Sequence, residues 1–282
     1  MSRAARPVTG GLLDAISGSV RTALEWRRSQ VPLEAVARAA ERRTPDGRRF
    51  RAALAREGGA NVIAECKRRS PARGVLARIY EPAAIARGYE RAGAAAVSVL
   101  TEPTFFDGAL EHLVAVRTAV SLPLLRKDFV LDEYQIYEAC AAGADAVLLI
   151  AAMLDDEALR HLARCAEGLG LAALVEVHSK RELDAAADAG ADIIGVNSRD
   201  LRTLAVDLRV CDALVADAPP GAVMVAESGI RSRGDIDRLA RAGYRAHLIG
   251  ERLMAEPDPG AALAALLGRA PAAASGGPGG EC

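Results

Sequence analysis

Lysine is rare in this sequence of 282 residues, and each lysine is therefore a candidate for proton chemistry. Of the 36 basic residues, all but Lys67, Lys127 and Lys180 are arginine. Arginine stays protonated at physiological pH, whereas lysine in a suitable environment can release a proton near neutrality. A lysine kept in so arginine-rich a chain is thus a candidate general acid, although chance survival on a solvated surface would give the same pattern.

Charged and amide side chains also stand late in five short apolar runs of the chain. In sequence order they are Glu65 and Lys67, Lys127, Glu176, Asn197 and Arg199, and Glu227. A buried glutamate flanked by apolar residues, as Glu176 and Glu227 are, costs free energy unless it is paired or functional. One such residue could be a structural salt bridge, but five runs that end this way favour a shared site for acid and base chemistry.

Alternation along these runs separates side chains that face the site from those that face away. Arg126 and Asp128 have the opposite parity to Lys127, so we expect them to pair with surrounding helices or loops and assign them no chemistry. By the same argument Cys66 faces away from Glu65 and belongs to the core.

Eight apolar or β-branched runs alternate with helical patterns, which is typical of βαβ units and a parallel sheet. The repeats RAGAAAV, AAGADAV, DAGADII and RAGYRAHL place Gly93, Gly143, Gly190 and Gly243 at intervals of 50, 47 and 53 residues. Each glycine stands where a helix can end in the left-handed conformation before an even-numbered strand. Two βα units repeated four times predict an α/β fold, a (β/α)8 TIM barrel with an N-terminal helical extension. The alternative, an open doubly wound sheet, lacks the expected G-x-G-x-x-G turn.

The positions of the runs divide the chain into three predicted segments. Residues 1–60 are expected to form a helical extension that caps the bottom of the barrel or flanks its mouth, and residues 61–270 to form the barrel itself. Residues 271–282, with the sequence PAAASGGPGGEC, are expected to form a disordered tail because they have little apolar surface to bury.

Composition argues against several kinds of partner. The formal net charge of −1 provides no basic field for nucleic acid or an anionic membrane. No apolar run approaches the ~20 residues that span a bilayer, and no apolar leader is visible. The five cysteines include no C-x-x-C pair, which argues against zinc or a disulfide framework and favours a reducing cytoplasm. The histidines lack metal-ligand spacing, and His178 is expected to be an ordinary loop residue.

The ends of the last two runs suit an anion. Barrels of this kind often bind phosphate with the loops after strands 7 and 8. Here Ser228 and Gly229 end the seventh run, and Gly250 and Glu251 follow the eighth. Because glycine lets backbone N–H groups approach an anion closely, these loops are candidates for phosphate binding.

Longer motifs resemble those of the indole-3-glycerol phosphate synthase family, from residue 61 to about residue 268. They are IAECKRRSP, SVLTEPTFFDGALEHL, LPLLRKDFVLDEYQIYEACAAGADAVLLI, LVEVHSKREL, GVNSRDLRTLAVDL, VAESGI and LIGERLM. The resemblance implies a (β/α)8 barrel without cofactor or metal. It also implies a tryptophan-biosynthetic lyase that converts 1-(2-carboxyphenylamino)-1-deoxyribulose 5-phosphate to indole-3-glycerol phosphate, with loss of carbon dioxide and water.

The resemblance assigns roles to the residues already singled out. Lys127 matches the general acid at the substrate carbonyl, and Glu176 matches the carboxylate that removes a proton during dehydration. The remaining catalytic candidates are Glu65, Lys67 and Asn197. The substrate-binding candidates are Ser70, Phe129, Arg199, Glu227, Ser228, Gly229, Gly250 and Glu251.

Two of these assignments carry physical expectations. We expect neighbouring cations to lower the pKa of Lys127, and Arg199 to hold the substrate carboxylate through two parallel hydrogen bonds. The implied partner is a phosphorylated small molecule, with no nucleic acid and no membrane. The protein is expected to be a cytoplasmic monomer with, at most, transient contacts to other tryptophan-pathway enzymes.

Some positions depart from the family pattern, and two other functions stay open. Ala72 stands where the family commonly has serine, and Arg252 stands where small residues are frequent. A sister barrel such as phosphoribosylanthranilate isomerase would need a cysteine–aspartate acid–base pair, which the sequence does not place. A barrel that binds such phosphates without turning them over is the second alternative.

Overall fold

A computed structural model describes residues 11–201 and 203–269, and eight of its strands form one closed parallel barrel. The strands are β1 (Asn61–Cys66), β2 (Ala96–Leu100), β3 (Leu124–Lys127), β4 (Ala146–Ile150), β5 (Ala172–Val177), β6 (Ile193–Asn197), β7 (Val223–Glu227) and β8 (Ala246–Ile249). Each strand lies within one of the predicted runs, and β1 pairs with both β2 and β8. The predicted (β/α)8 barrel is confirmed, and the open sheet is excluded. The predicted tail, 271–282, lies outside the described residues.

Helices surround the barrel and connect its strands. They are α1 (Leu12–Gln30), α2 (Leu33–Ala40), α3 (Gly47–Leu54), α4 (Pro82–Ala92), α5 (Pro103–Phe106), α6 (Leu110–Ala119), α7 (Glu133–Ala142), α8 (Asp156–Gly168), α9 (Lys180–Asp188), α10 (Arg209–Val215), α11 (Arg233–Ala242), α12 (Glu251–Met254) and α13 (Pro259–Leu266). The four repeat glycines have positive φ values, as predicted. None of the helices in the described ranges has the length and apolarity that a bilayer crossing requires.

The strands separate two apolar layers by alternation. One set of side chains, including Ile63, Leu125 and Leu174, fills the barrel interior. The alternate set, including Val62 and Cys66, packs between the barrel and its helices. The expectation that Cys66 belongs to the core is confirmed, and the same alternation decides which polar side chains reach the barrel mouth.

The N-terminal helices contact the barrel at different places. Helix α3, which the sequence analysis did not predict, buries Phe50 and Leu54 in the interior core. Its start is fixed by Asp46, whose side chain accepts the backbone N–H of Arg49 at 2.8 Å. Helix α1 instead lies at the mouth, where it contributes apolar side chains to the cavity described below.

Helix α3 packs closely against the loop before β5. A single methyl group added at this contact should therefore lower the stability of the protein. A Cβ added at Gly47 would lie 2.4 Å from the backbone N of Ala172, so Gly47→Ala must push α3 away from the barrel. We expect a loss of ~2–3 kcal/mol in the free energy of unfolding, measured with denaturant. Gly18→Ala is the matched control, because a Cβ there meets nothing within 4 Å and should stabilise α1. Equal stability of the two variants would contradict the close packing of α3.

Candidate active site

A cavity of about 530 Å³ opens at the carboxyl ends of the barrel strands. Every site residue predicted from the sequence lines it. They are Glu65, Lys67, Ser70, Lys127, Phe129, Glu176, Asn197, Arg199, Glu227, Ser228, Gly229, Gly250 and Glu251. The barrel therefore brings side chains from distant parts of the chain into one space, at the end where barrel enzymes carry their active sites.

Lys127 lies between two carboxylates in this cavity. Its Nζ is 2.8 Å from Oε2 of Glu176 and 3.4 Å from Oε2 of Glu227. A second ammonium group, that of Lys67, lies 2.5 Å from Oε1 of Glu65. These contacts form two acid–base pairs within one water-restricted space, and Glu227 is a third carboxylate beside them.

Two glycines provide the space that these carboxylates occupy. A Cβ at Gly195 would lie 2.1 Å from Oε1 of Glu227, and a Cβ at Gly250 would lie 2.2 Å from Oε1 of Glu65. Any larger residue would displace a carboxylate from its position. Gly195 therefore contributes to the site although it does not line the cavity, and the sequence analysis did not identify it.

The expectation that cations lower the pKa of Lys127 is wrong. Burial lowers this pKa, but the negative charges of Glu176, Glu227 and Glu65 together raise it by more. The pKa of Lys127 therefore lies well above its ordinary value. The neighbours of Lys127 are carboxylates, and these favour the charged ammonium form. Lys127 thus holds its proton at neutral pH.

The pKa values of the two carboxyl groups next to Lys127 shift in opposite directions. Burial raises the pKa of Glu176, but Lys127 and His178, with hydrogen bonds from Lys127 and Asn197, lower it to about 2. Burial, together with the negative charges of Glu176 and Glu65, raises the pKa of Glu227 to about 8 although Lys127 lowers it. The geometry agrees, because Oε1 of Glu227 is buried without a hydrogen-bond partner among the described residues.

Two arginines and one carboxylate form a further charged cluster in the cavity wall. Glu251 accepts Arg73 Nε on Oε1 and Arg199 Nη2 on Oε2, both at 2.9 Å. Ser228 and Gly229 nearby adopt φ values of 63° and 74°, a turn that leaves the barrel wall after β7. Arg73 was not identified from the sequence. It lies in a short hairpin after β1, where its backbone N–H donates to Ser70 Oγ at 3.3 Å.

Apolar side chains form another part of the cavity wall. Phe106 and Phe129 lie with ring centroids 6.0 Å apart, and α1 adds Leu13 and Ile16. Of these, only Phe129 was predicted from the sequence. The position of α1 over the mouth, which alternation within the barrel strands cannot reveal, explains the omission of Leu13 and Ile16.

A buried network surrounds the two residues that flank Lys127 in the chain, and one of them, Asp128, also lines the cavity. Arg126 is 2% exposed and pairs with Asp128 at 2.8 Å and with Glu138 of α7 at 3.3 Å. Glu138 also pairs with Arg27 of α1 at 2.9 Å, and Thr101 donates to Asp128 at 2.6 Å. The expectation that Arg126 and Asp128 pair with surrounding elements is confirmed.

The two departures from the family pattern both lie at the cavity wall. Ala72 lines the hairpin side, and Arg252 lines the side after β8. Arg252 forms an ion pair with Glu256 one helical turn later. Its positive charge is therefore matched outside the cavity.

The raised pKa of Glu227 predicts how stability depends on pH. In the folded protein Glu227 keeps its proton to about pH 8, so its stabilising contribution is complete below its unfolded pKa and is lost as pH rises through about 8. Glu227→Gln, which imitates the protonated form, should therefore gain free energy of unfolding relative to the unsubstituted protein as pH rises. Denaturant unfolding at several pH values measures this. The exposed Glu57→Gln is the control, and a constant difference for Glu227→Gln would contradict the assignment.

Comparison with known proteins identifies the family of this chain. A family model described as "Indole-3-glycerol phosphate synthase" matches residues 13–266. A protein of that name from Carboxydothermus hydrogenoformans is 53% identical over 77% of this chain and 84% of its own. Another, from Mycobacteroides abscessus, is 48% identical over 92% of this chain and 94% of its own.

A solved structure, the thiamine phosphate pyrophosphorylase from Pyrococcus furiosus, has a TM-score of 0.57 and 18% sequence identity. It covers 77% of this chain and 95% of its own length, and it shows likeness of fold alone. The match of the family model and the identities to the two curated relatives are far stronger. The chain therefore belongs to the indole-3-glycerol phosphate synthase family.

Proposed function

We propose that the cavity performs the reaction of this family, the conversion of 1-(2-carboxyphenylamino)-1-deoxyribulose 5-phosphate to indole-3-glycerol phosphate. The aromatic ring carbon attacks the ketone carbon, the ring carboxylate leaves as carbon dioxide, and a later dehydration forms the indole. The observation that carries the proposal is the ammonium of Lys127, held by Glu176 and Glu227 in a cavity that apolar side chains also line. Such a lining suits an aromatic ring, and the ammonium suits the carbonyl oxygen.

Lys127 is assigned to protonation of the carbonyl oxygen. The surrounding carboxylates ensure that it is charged when substrate arrives. As the new carbon–carbon bond forms, the carbonyl oxygen becomes an alkoxide, which is a much stronger base than an amine. The ammonium can therefore transfer its proton at the point in the reaction where the negative charge develops.

Glu176 is assigned to proton removal in the dehydration. It enters the reaction ionised, and Asn197 fixes its orientation by donating to Oε1 at 3.0 Å. Elimination of water also needs an acid at the departing hydroxyl, and the pair of Lys67 and Glu65 provides a second proton source in the same cavity. Protonated Glu227 can donate to a substrate hydroxyl.

The substrate phosphate is assigned to the end of the cavity near Gly229 and Gly250. Arg199 reaches Glu251 at this end, so we assign its guanidinium to the phosphate instead of the ring carboxylate that the sequence analysis had given it. Glu251 accepts hydrogen bonds from both Arg73 and Arg199. The phosphate would take these arginine contacts from the carboxylate.

The two alternative functions are less well supported. In the described part of the chain no cysteine lines the cavity, so the cysteine–aspartate pair of the isomerase alternative is missing. A binding barrel without turnover would not form indole-3-glycerol phosphate, whose fluorescence provides a direct assay.

We also propose a cytoplasmic monomer, in keeping with the free thiols of Cys66, Cys140, Cys165 and Cys211. Elution at the mass of one chain in size-exclusion chromatography would support the monomer.

Replacement of Lys127 by arginine tests the acid role most directly. Arginine keeps the positive charge but cannot release a proton usefully at neutral pH. We expect kcat of Lys127→Arg to fall by ~10²–10⁴, with the fold intact by circular dichroism. Lys180→Arg is the matched control, since Lys180 is an exposed residue of α9 paired with Asp184. Similar kcat values for both variants would remove Lys127 from the mechanism.

The phosphate end predicts inhibition by inorganic phosphate. Phosphate should compete with substrate, because both require the loops after β7 and β8 and the same two arginines. Glu251→Gln should lower the inhibition constant for phosphate several-fold, since a neutral amide competes less well for Arg73 and Arg199. Glu256→Gln, whose carboxylate pairs with Arg252 at the surface, is the control. Noncompetitive inhibition by phosphate would place the anion elsewhere.

A further inference from the structure

A histidine and a second glutamate lie directly behind Glu176, outside the cavity. His178 follows β5 and has the same parity as Glu176. Its Nε2 is 3.5 Å from Oε1 of Glu176, although the His178 ring does not line the cavity. The sequence predicts only an ordinary loop residue at His178. It does lie in the loop after β5, but its ring is oriented toward the predicted catalytic carboxylate.

Glu182, in the first turn of α9, fixes the other side of the His178 ring. Its Oε2 lies 3.3 Å from Nδ1 of His178 and accepts the backbone N–H of the same residue at 2.8 Å. Its Oε1 accepts the hydroxyl of Ser179, the N-cap of α9, at 3.0 Å. Since both oxygens of Glu182 are held, the imidazole is anchored with Nε2 toward Glu176.

The Nε2 atom of His178 is buried and has no hydrogen-bond partner among the described residues. A buried nitrogen without a partner is costly unless a nearby group can satisfy it. The Glu176 carboxylate is within ion-pair distance, and a small approach would convert the contact into a hydrogen bond. Contacts of this kind are commonly long in unliganded enzymes and shorten when substrate binds.

Carboxylates on three elements face the His178 ring: Glu176 of β5, Glu182 of α9 and Glu227 of β7. Lys127 reaches the same Glu176 carboxylate from β3. Burial lowers the pKa of His178, but the hydrogen bond to Glu182 and the negative charges of Glu176 and Glu182 raise it above its ordinary value. The ring therefore remains an imidazolium to a higher pH than a free histidine does.

We propose that His178, anchored by Glu182, is a positioning residue for the Glu176 carboxylate. The inference rests on the role proposed above for Glu176. Lys127 donates to Oε2 of Glu176, but its ammonium must turn to the substrate oxygen during ring closure. At that stage Glu176 keeps the hydrogen bond from Asn197 and gains one from the imidazolium. Both hydrogen bonds are on Oε1, so Oε2 is free to accept a proton.

The test compares His178→Gln and Glu182→Gln in steady-state kinetics from acid to alkaline pH. His178→Gln should lower kcat by about 10- to 100-fold, since a misplaced carboxylate reacts poorly. KM should stay within about twofold, because the ring does not line the cavity. The decrease of kcat that accompanies deprotonation of the imidazolium should disappear in His178→Gln. In Glu182→Gln this decrease of kcat should move to lower pH, because the His178 ring then lacks the neighbouring negative charge that raises its pKa.

His161→Gln is the matched control, since the exposed His161 lies 3.4 Å from Glu133 on the outer helices. Its kcat, KM and pH profile should equal those of the unsubstituted protein. An unchanged kcat in His178→Gln, or a lower kcat with unchanged pH profiles in both variants, would overturn the inference. If His178→Gln does not fold, the pH profile of Glu182→Gln decides.

Glu176→Gln separates failure of this inference from failure of the role on which it rests. Loss of turnover in Glu176→Gln together with normal turnover in His178→Gln would refute the positioning role alone. Normal turnover in Glu176→Gln would refute both the role of Glu176 and the inference about His178.

Discussion

The barrel mouth holds three carboxylates, Glu65, Glu176 and Glu227, against the two ammonium groups of Lys67 and Lys127. Water screens these charges poorly because the side chains are largely buried, so a surplus negative charge is expensive there. The surplus is relieved by a proton on Glu227, whose Oε1 is buried without a hydrogen-bond partner among the described residues. The protonation states of the other groups follow from this balance: Lys127 remains charged, and Glu176 remains ionised.

The closed barrel explains why four of these groups meet. Glu65, Lys127, Glu176 and Glu227 come from β1, β3, β5 and β7, and barrels of this fold fill their interiors with layers of four side chains from alternate strands. Lower layers of this barrel are apolar. The charged layer is therefore the uppermost layer of the barrel interior, where it borders the cavity.

The elements outside the barrel hold this layer from two sides. Arg126 and Asp128 form a buried network that reaches Glu138 of α7 and Arg27 of α1, so the N-terminal helix is linked to the strand that carries Lys127. Removal of one partner from such a buried network leaves an uncompensated charge and typically costs ~3–5 kcal/mol. On the other side, α9 provides Glu182, which anchors His178 against Glu176.

The sequence by itself determined the barrel and most of the charged side chains in the cavity wall. Repeated glycines gave the period of the βα units, and alternation within each run identified the inward-facing polar residues, because strand geometry makes both features local. What it could not give were Arg73 and the packing of α1 over the mouth, since these depend on where a hairpin and a distant helix come to lie.

The ionisation of Lys127 was also decided only by the tertiary structure, and it contradicted the expectation of a lowered pKa. The same is true of the contact between His178 and Glu176. A pKa depends on burial and on distances to charges from several strands. Those distances are defined only when the barrel closes, so the sequence specifies which groups meet at the mouth, and the closed structure decides where their protons reside.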